Sequence, residues 1–206
     1  MNDIYSEAFR NLVELLEALE TNYNWQYIIV GGVLTPLYAQ IRMTQDIDVV
    51  LLLQLTDASK DALLKQIVAH DFKPFTTWDD AVFNWPNLSM ITFLDPSEKI
   101  KIDINILEEG KNASSIYEKI GILSIARRIR KDFLGTECWV QTKEDFIIAK
   151  LVYAGILDYN DALACWIKYE NEMDIDYLES SAGQLGITAS LVALKEKRSV
   201  EDVYPD

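Results

Sequence analysis

Hydrophobic and polar positions alternate most regularly along residues 100–107. Isoleucine occupies every second position there, and the positions between are polar, at Lys101, Asp103 and Asn105. Since successive side chains of a β-strand point to opposite faces, this alternation predicts a half-buried strand with a polar face. Residues 46–53 are rich in Val and Leu after two aspartates, which predicts a mostly buried strand.

Other segments show strand or helical spacing of their apolar residues. Shorter strands are expected at 27–30, 90–94 and 137–140. Helical spacing predicts helices at 4–19, 56–70, near 114–120, from 142 onward, and at about 158–170, 174–184 and 188–197. A helical turn is expected at 34–40, and residues 71–89 are expected to be irregular. The pattern thus predicts a mixed α/β portion over residues 1–140 and a helical portion, packed on it, over 141–206.

The composition is that of a globular chain. Half of the 206 residues are hydrophobic and a quarter are charged, which excludes a disordered protein. Acidic residues outnumber basic ones by 33 to 19, for a net charge of −14. That balance argues against a protein whose main task is to coat nucleic acid. A phosphate-bearing ligand is still compatible with it where divalent cations stand between the ligand and the protein.

The residues available for sulfur or imidazole chemistry are few. Cys138, Cys165 and His70 fit neither a disulfide framework nor a zinc site, so two buried thiols and one surface histidine are expected. The N-terminus has no signal-peptide pattern, and no apolar run approaches the ~20 residues that span a bilayer. We therefore expect a soluble, cytoplasmic protein without a membrane partner.

Two features of the first hundred residues could bear chemistry. Gly31 and Gly32 directly follow a predicted strand, where they allow a sharp turn and a close approach to a ligand, or are simply a turn. Asp46 and Asp48 begin a buried strand on the same face, where two carboxylates repel each other. A cation, a hydrogen-bond network or solvent must compensate them.

A third aspartate decides between these alternatives. Asp103 lies on the polar face of its strand and could simply face water. If its strand instead pairs beside residues 46–53, three carboxylates converge. Such a set of oxygen ligands suits Mg²⁺ or Mn²⁺, and two such ions could clamp the attacking and leaving oxygens of a phosphoryl or nucleotidyl transfer.

The order of these motifs resembles the nucleotidyltransferase superfamily, which shares the DNA polymerase beta type of core. In that family a Gly-Gly or Gly-Ser is followed by Asp-x-Asp, and a third Asp comes from a neighbouring strand. Here the motifs are Gly31-Gly32, then Arg42-x-Thr44-x-Asp46-x-Asp48, then Asp103. The stretches 29–50 and 140–151, with Asp158-x-x-Asp161 after them, look most like the bacterial branch related to the AbiEii abortive-infection toxins.

The resemblance implies a fold and a role for each matching residue. The fold is α+β, with a nucleotidyltransferase-like mixed sheet flanked by helices and a C-terminal helical region. Asp46, Asp48 and Asp103 would be the catalytic and metal-binding residues. The nucleotide-binding residues would be Gly31 and Gly32 against the phosphates, Lys150 on a phosphate, Asp158 or Asp161 orienting that lysine or the acceptor, and Arg42 and Thr44 bracing the metal-binding strand or touching the nucleotide.

The implied reaction is metal-dependent transfer of a nucleoside monophosphate from a nucleoside triphosphate to a hydroxyl acceptor. That acceptor could be a tRNA, a protein or a small molecule, and a toxin–antitoxin or abortive-infection role is implied. Relatives often carry basic residues where this chain has Gly155 and Leu157. The basic stretch that contains Arg127, Arg128, Arg130 and Lys131 could replace them or could be a solvated edge.

Two other functions are compatible with the sequence. A protein that kept the fold and lost the chemistry could serve as one half of a toxin–antitoxin pair, with its acidic surface blocking a basic partner. Trp78, Trp85 and Trp166 could then form an interface, although packing in the core is the commoner role of Trp. Alternatively, a small-molecule nucleotidyltransferase of the antibiotic-modifying kind would use the C-terminal helices to line a polar acceptor pocket.

Overall fold

The computed structural model describes residues 3–40, 44, 46–85 and 87–204, and its strands form one mixed sheet. The strands are β1 (Gln26–Val30), β2 (Asp46–Leu53), β3 (Lys73–Pro74), β4 (Met90–Leu94), β5 (Lys101–Glu108), β6 (Ile129–Phe133) and β7 (Thr136–Val140). Their order across the sheet is β3-β4-β5-β2-β1-β7-β6. The pairs β2–β5 and β1–β7 are parallel, and the other pairs are antiparallel.

Ten α-helices are found among the described residues. They are α1 (Asp3–Tyr23), α2 (Thr35–Tyr38), α3 (Asp57–Ala69), α4 (Trp78–Ala81), α5 (Ile116–Arg127), α6 (Lys143–Tyr153), α7 (Ile156–Tyr169), α8 (Ile175–Leu185), α9 (Thr188–Lys195) and α10 (Val200–Val203). Two short 3-10 helices lie at Gly31–Leu34 and Glu170–Glu172. The chain forms two compact units: the sheet with α1, α3 and α4, and a second unit of α2 and α5–α10.

Helix α1 covers the sheet of the first unit. Its apolar residues recur at helical spacing, and five of them are fully buried: Phe9, Leu12, Leu15, Leu16 and Leu19. The helix contacts β1, β7 and α3, and the rings of Phe9 and Phe133 meet edge-on with centroids 5.4 Å apart. Since burying one Leu or Phe side chain contributes about 2 kcal/mol, this face anchors the sheet that carries the aspartates.

A tight turn joins β4 to β5 and fixes the register in which the two strands pair. The carboxylate of Asp95 accepts hydrogen bonds from the backbone N–H groups of Ser97, Lys99 and Ile100 at 2.7–3.0 Å. Burial raises the pKa of Asp95, but the hydrogen bonds from the Ser97 hydroxyl and from these three N–H groups lower it by more, so the pKa lies below its ordinary value. The charged carboxylate thereby fixes the hairpin whose strands carry Thr92 and Asp103.

Helix α6 is the centre of the second unit. It begins at the cap Thr142, whose hydroxyl accepts from the backbone N–H of Asp145, and it is buried from Glu144 to Leu151. Helices α5, α7 and α8 contact it. Two buried hydrogen bonds lie just before its first residue. The Gln141 side chain donates to the Ser124 hydroxyl at 2.9 Å, and the Gln141 backbone carbonyl accepts from the Tyr38 hydroxyl.

Most sequence predictions of elements are confirmed, and so is the α+β fold. The strand at 46–53 lies at the expected residues, and the helices expected from residues 56 and 142 are α3 and α6, which Thr56 and Thr142 cap. The expectation of an irregular segment at 71–89 is wrong in detail, since that segment holds β3 and α4. The helix near 114–120 continues to Arg127, and the basic stretch after it is strand β6. The division into domains at residue 140 stays a prediction.

The predicted burial of the two thiols is confirmed. Cys138 and Cys165 are both free and buried, and burial raises the pKa of each thiol to about 12. His70 ends α3 and is half-buried. Within the described part of the chain, no helix combines the length and the apolar character needed to cross a membrane.

Candidate active site

Three aspartates lie on one face of two neighbouring strands. In the parallel register of β2 and β5, Asp48 lies opposite Asp103, and Asp46 lies opposite Lys101. Because residues two apart on a strand share a face, Asp46, Asp48 and Asp103 project from the same side of the sheet. The condition that the sequence left open, that these two strands are neighbours, is met.

Asp103 is buried and does not simply face water. Only 6% of the residue is exposed, and its Oδ1 accepts a 2.7 Å hydrogen bond from Thr92 Oγ1. Thr92 lies opposite it on β4. The other carboxylate oxygen of Asp103, Oδ2, is 2.6 Å from Lys101 Nζ. Partners at both oxygens compensate the burial of this carboxylate and fix its orientation.

Asp46 lies at the open end of the same face. Its side chain is 38% exposed, and Thr44 Oγ1 donates to its Oδ1 at 2.6 Å. Lys101 Nζ lies 3.7 Å from its Oδ2. The hydrogen bond to Asp103 raises the pKa of Lys101 more than desolvation lowers it, so this lysine is a cation. The site therefore holds one ammonium group between two carboxylates.

Behind Asp46, a buried tyrosine supports the start of β2. The Tyr5 hydroxyl donates to the backbone carbonyl of Asp46 at 3.0 Å. Burial, and after it the charges of Asp46 and Asp48, raise the pKa of Tyr5 well above its usual value. The hydroxyl therefore stays a neutral donor that ties α1 to the strand of the aspartates.

Gly31 makes room for the carboxylate of Asp48. It follows β1, whose last residue Val30 pairs with Asp48, and its φ of +78° favours glycine. A Cβ at Gly31 would lie 2.3 Å from Asp48 Oδ2 and 3.0 Å from Asp48 Cβ. Gly32 is the next residue of the same 3-10 helix and is half-buried. The glycine turn and the second aspartate thus lie in contact.

The donor set of this face suits a hard divalent cation. Asp46, Asp48 and Asp103 offer only carboxylate oxygens, and two of them, Asp46 and Asp103, already flank the positive charge of Lys101. As the side chains stand, no group of three or more His, Cys, Asp or Glu residues within the described ranges is close enough to enclose a metal ion. The donors therefore fit Mg²⁺ or Mn²⁺ in their chemistry.

The predicted site residues of the C-terminal half lie in the second unit. Lys150 on α6 is buried, and its Nζ lies 2.7 Å from Asp158 Oδ1 and 3.0 Å from Asp161 Oδ2, both on α7. The structure therefore brings these three residues together, and the ion pairs join α6 to α7. The contact of Lys150 with a phosphate stays a prediction.

Gly155 and Leu157, the positions at which the sequence resemblance implies basic residues, lie at the start of α7. Gly155 caps α7, and a Cβ there would lie 2.8 Å from Asp158 Oδ2. Leu157 is 67% exposed. Neither position carries a basic side chain, and Asp158 forms its ion pair with Lys150.

Three arginines of the basic stretch have partners within their own units. Arg128 donates to Glu20 and to the carbonyl of Tyr27, and Arg130 donates to Glu17. The guanidinium of Arg127 lies 3.5 Å from the ring centroid of Tyr177, with Asp145 and Asp174 near it. Within the first unit, Arg128 and Arg130 are thus bound to α1; within the second, Arg127 is bound to α6 and to the start of α8. Lys131 is the exposed member of the four.

Two of the predicted interface tryptophans are also held within the first unit. Trp78 packs against Phe93 with ring centroids 6.2 Å apart, and Trp85 Nε1 donates to the carbonyl of Thr56. Trp166 is buried in the second unit. Core packing accounts for Trp166, and the other two are half-buried.

Two residues that contact Asp103 were not predicted from the sequence. Lys101 and Thr92 contact Asp103. Alternation puts Lys101 on the polar face of β5, but only the strand register brings both residues to Asp103. Arg42 lies outside the described residues.

The fold is similar to that of known structures. No protein-family model and no curated protein matches the sequence. The crystal structure of an antigenic nucleotidyltransferase-like protein from Paracoccidioides brasiliensis aligns over 98% of each chain, at 16% identity and a TM-score of 0.52. The chain therefore has a nucleotidyltransferase-like fold, as the sequence predicted.

Two further structures align with lower scores. The lincosamide antibiotic adenylyltransferase LnuA, lincomycin-bound, aligns at 16% identity and a TM-score of 0.45, over 75% of this chain and 94% of LnuA. JHP933 from Helicobacter pylori aligns at 13% identity and a TM-score of 0.45, over 98% of this chain and 88% of that protein.

Proposed function

We propose that this chain is a metal-dependent nucleotidyltransferase that moves a nucleoside monophosphate from a nucleoside triphosphate to a hydroxyl acceptor. The observation that carries the proposal is the parallel pairing of Asp48 with Asp103, which aligns three carboxylates on one face beside Gly31. The nucleotidyltransferase-like fold agrees with this site. Because a fold by itself does not establish an activity, the proposal rests on the site.

The proposed cofactor is Mg²⁺ or Mn²⁺, held by Asp46, Asp48 and Asp103. When bound, the ion would neutralise charge on the triphosphate and polarise its phosphate oxygens. The chain has a net charge of −14, so its own basic residues do not supply that neutralisation in bulk. This makes a divalent cation the natural partner of a nucleoside triphosphate here.

Asp103 is the proposed general base. It would accept the proton of the acceptor hydroxyl as the acceptor oxygen bonds to the α-phosphorus and the bond to the departing pyrophosphate breaks. Thr92 donates to Oδ1, so Oδ2 is the oxygen that would take the proton once Lys101 Nζ, 2.6 Å away, has moved from it. The burial of Asp103 and its fixed orientation support this assignment.

The other predicted residues keep their proposed roles toward the nucleotide. Gly31 and Gly32 would let the backbone approach the phosphates. Thr44 would brace Asp46, in keeping with its 2.6 Å hydrogen bond to that carboxylate. The other proposed nucleotide-binding residues are Lys150 on a phosphate, Asp158 or Asp161 orienting that lysine or the acceptor, and Arg42 bracing the metal-binding strand or touching the nucleotide.

A cleft beside Thr92 is the proposed place of the acceptor. Its volume is about 260 Å³, just below the range of about 300–1,000 Å³ for small-molecule sites. It is lined by Phe75, Thr76, Thr77, Asp80, Ala81, Met90 and Thr92. Because Thr92 lines this cleft and also donates to Asp103, a hydroxyl bound there would lie near the base. Apolar, hydroxyl and carboxylate groups together favour a small hydroxylated acceptor over a tRNA, whose phosphates an acidic protein repels.

The finer biological assignments are also part of the proposal. The kinship with the AbiEii-related branch depends on the resemblance of residues 29–50 and 140–151. A cognate toxin or antitoxin partner, a protein acceptor and a tRNA acceptor depend on that kinship alone. A protein that kept the fold and lost the chemistry would neither bind nucleotides with a metal nor release pyrophosphate.

Substitution of Asp103 tests the proposed reaction. Wild-type protein is mixed with each of the four nucleoside triphosphates, Mg²⁺ and glycerol as a generic hydroxyl acceptor, and pyrophosphate release is measured. We expect Asp103→Asn to lower the rate by about 100-fold or more, because the amide keeps the shape and cannot accept the proton. Asp132→Asn on β6 is the matched control, since Asp132 is exposed, and it should keep the wild-type rate.

Two results of that assay would contradict the proposal. One is an unchanged rate of pyrophosphate release in Asp103→Asn. The other is no release by the wild type from any of the four triphosphates, which would favour the protein-binding alternative.

A further inference from the structure

The ammonium group of Lys101 lies among the carboxylates of the candidate metal site. Its Nζ is 2.6 Å from Asp103 Oδ2 and 3.7 Å from Asp46 Oδ2. These two oxygens belong to different strands, so one nitrogen bridges β2 and β5. The space between the two carboxylates is therefore taken by a positive charge that belongs to the chain.

The strand register fixes Lys101 in this place. Lys101 lies opposite Asp46 and two residues before Asp103, so all three side chains share one face. From this position the ammonium group of Lys101 can reach the carboxylate of Asp46 or that of Asp103 by a small movement. Its side chain is 41% exposed, which gives it a route to solvent if the carboxylates take another cation.

Metal binding and the Lys101 ion pairs exclude each other. A divalent ion held by Asp46 and Asp103 would need the oxygens that face Lys101 Nζ. The ion and the ammonium group repel each other, and each carboxylate oxygen has few directions in which to accept. The ammonium group must leave Asp103 Oδ2 before that oxygen can bind a metal or take a proton.

We infer that Lys101 is an internal counter-ion that competes with the divalent cation for Asp46 and Asp103 and thereby sets the metal affinity of the site. This inference depends on the proposed function, because it concerns the same metal site. In the metal-free protein Lys101 offsets the repulsion among three carboxylates on one face. When a metal binds, Lys101 gives way, so the affinity for the metal is lower than three carboxylates alone would provide. Lys101 is thus a positioning residue and not a catalytic one.

The inference is tested by metal binding without nucleotide. Free Mn²⁺ is measured by electron paramagnetic resonance during titration of the full-length wild type, Lys101→Met and Lys99→Met. Lys99 is exposed two residues earlier and is the matched control. We expect Lys101→Met to bind Mn²⁺ about fivefold to tenfold more tightly than the wild type, and Lys99→Met to match the wild type.

Thermal unfolding gives a second readout. Without metal, Lys101→Met should unfold about 2–4 °C below the wild type, because the carboxylates then repel each other unopposed. Saturating Mn²⁺ should raise its Tm by more than it raises that of the wild type. Lys101→Gln keeps a polar side chain of similar reach and should give the same two shifts.

The outcomes separate this inference from the proposed function. Equal Mn²⁺ affinity in the wild type and in both Lys101 variants would overturn the competition while leaving the metal site in place. Weaker binding in the variants would also overturn it and would make Lys101 a supporter of the bound state. If neither the wild type nor the variants bind Mn²⁺, the metal site fails and the role of Lys101 fails with it.

Discussion

Gly31→Ala is expected to disrupt the candidate site and to destabilise the sheet unit. The new Cβ would meet the Asp48 carboxylate at 2.3 Å and Asp48 Cβ at 3.0 Å. The second of these atoms is attached to the backbone, so rotation of the carboxylate alone cannot relieve the contact. An alanine at φ +78° adds backbone strain.

The expected cost is about 2–4 kcal/mol in the free energy of unfolding, from overpacking and strain together. Mg²⁺-dependent binding of nucleotide should fall by about tenfold or more, since Asp48 is displaced from the metal face. Urea titration measures the first quantity, and isothermal titration measures the second under conditions where the variant is folded.

Gly135→Ala is the control for this prediction. Gly135 has nearly the same φ, +76°, and a Cβ there would meet nothing within 4 Å. It therefore carries the backbone strain without the collision. If Gly31→Ala loses no more stability and no more nucleotide affinity than Gly135→Ala, the carboxylate of Asp48 does not lie against the glycine turn.

Lys150→Met is expected to give the largest loss of stability in the second unit. The substitution removes the positive charge from two carboxylates, and Asp161 among them is almost fully buried. Breaking a buried ion pair by removing one partner costs about 3–5 kcal/mol, because the remaining charge stays in an apolar environment. Urea unfolding of the full chain measures the loss.

Two companion variants make the Lys150 prediction specific. Lys195→Met breaks an exposed ion pair with Glu179 and should cost less than about 1 kcal/mol. Lys150→Met combined with Asp161→Leu removes both buried charges and should recover much of the loss. A single Lys150→Met variant as stable as Lys195→Met would contradict the account of α6 and α7.

The parts of the site that follow local patterns could be predicted from the sequence. Alternation along β5 gives the face of Asp103, and the two-residue spacing of Asp46 and Asp48 gives theirs. The caps Thr56 and Thr142 are equally local, because each threonine hydroxyl accepts a hydrogen bond from the backbone N–H three residues later. Strand β6 was missed because its Arg, Lys and Asp side chains hide the strand pattern.

The parts that depend on tertiary register could not be predicted. Lys101 becomes a counter-ion only because β2 and β5 are neighbours in a register that sets it opposite Asp46. Thr92 reaches Asp103 through the pairing of β4 with β5. Likewise, the burial of Lys150 depends on how α7 packs on α6. None of these relations is visible in the spacing of residues along one segment.

Metal-dependent nucleotide binding tests the central claim most directly. The four nucleoside triphosphates are titrated calorimetrically into the wild type and into Asp46→Asn/Asp48→Asn, each with Mg²⁺ and again with EDTA. The account predicts that at least one triphosphate binds the wild type with Mg²⁺, that EDTA abolishes this binding, and that the double variant does not bind. No binding to the wild type with Mg²⁺, or equal binding to the folded double variant, would contradict it.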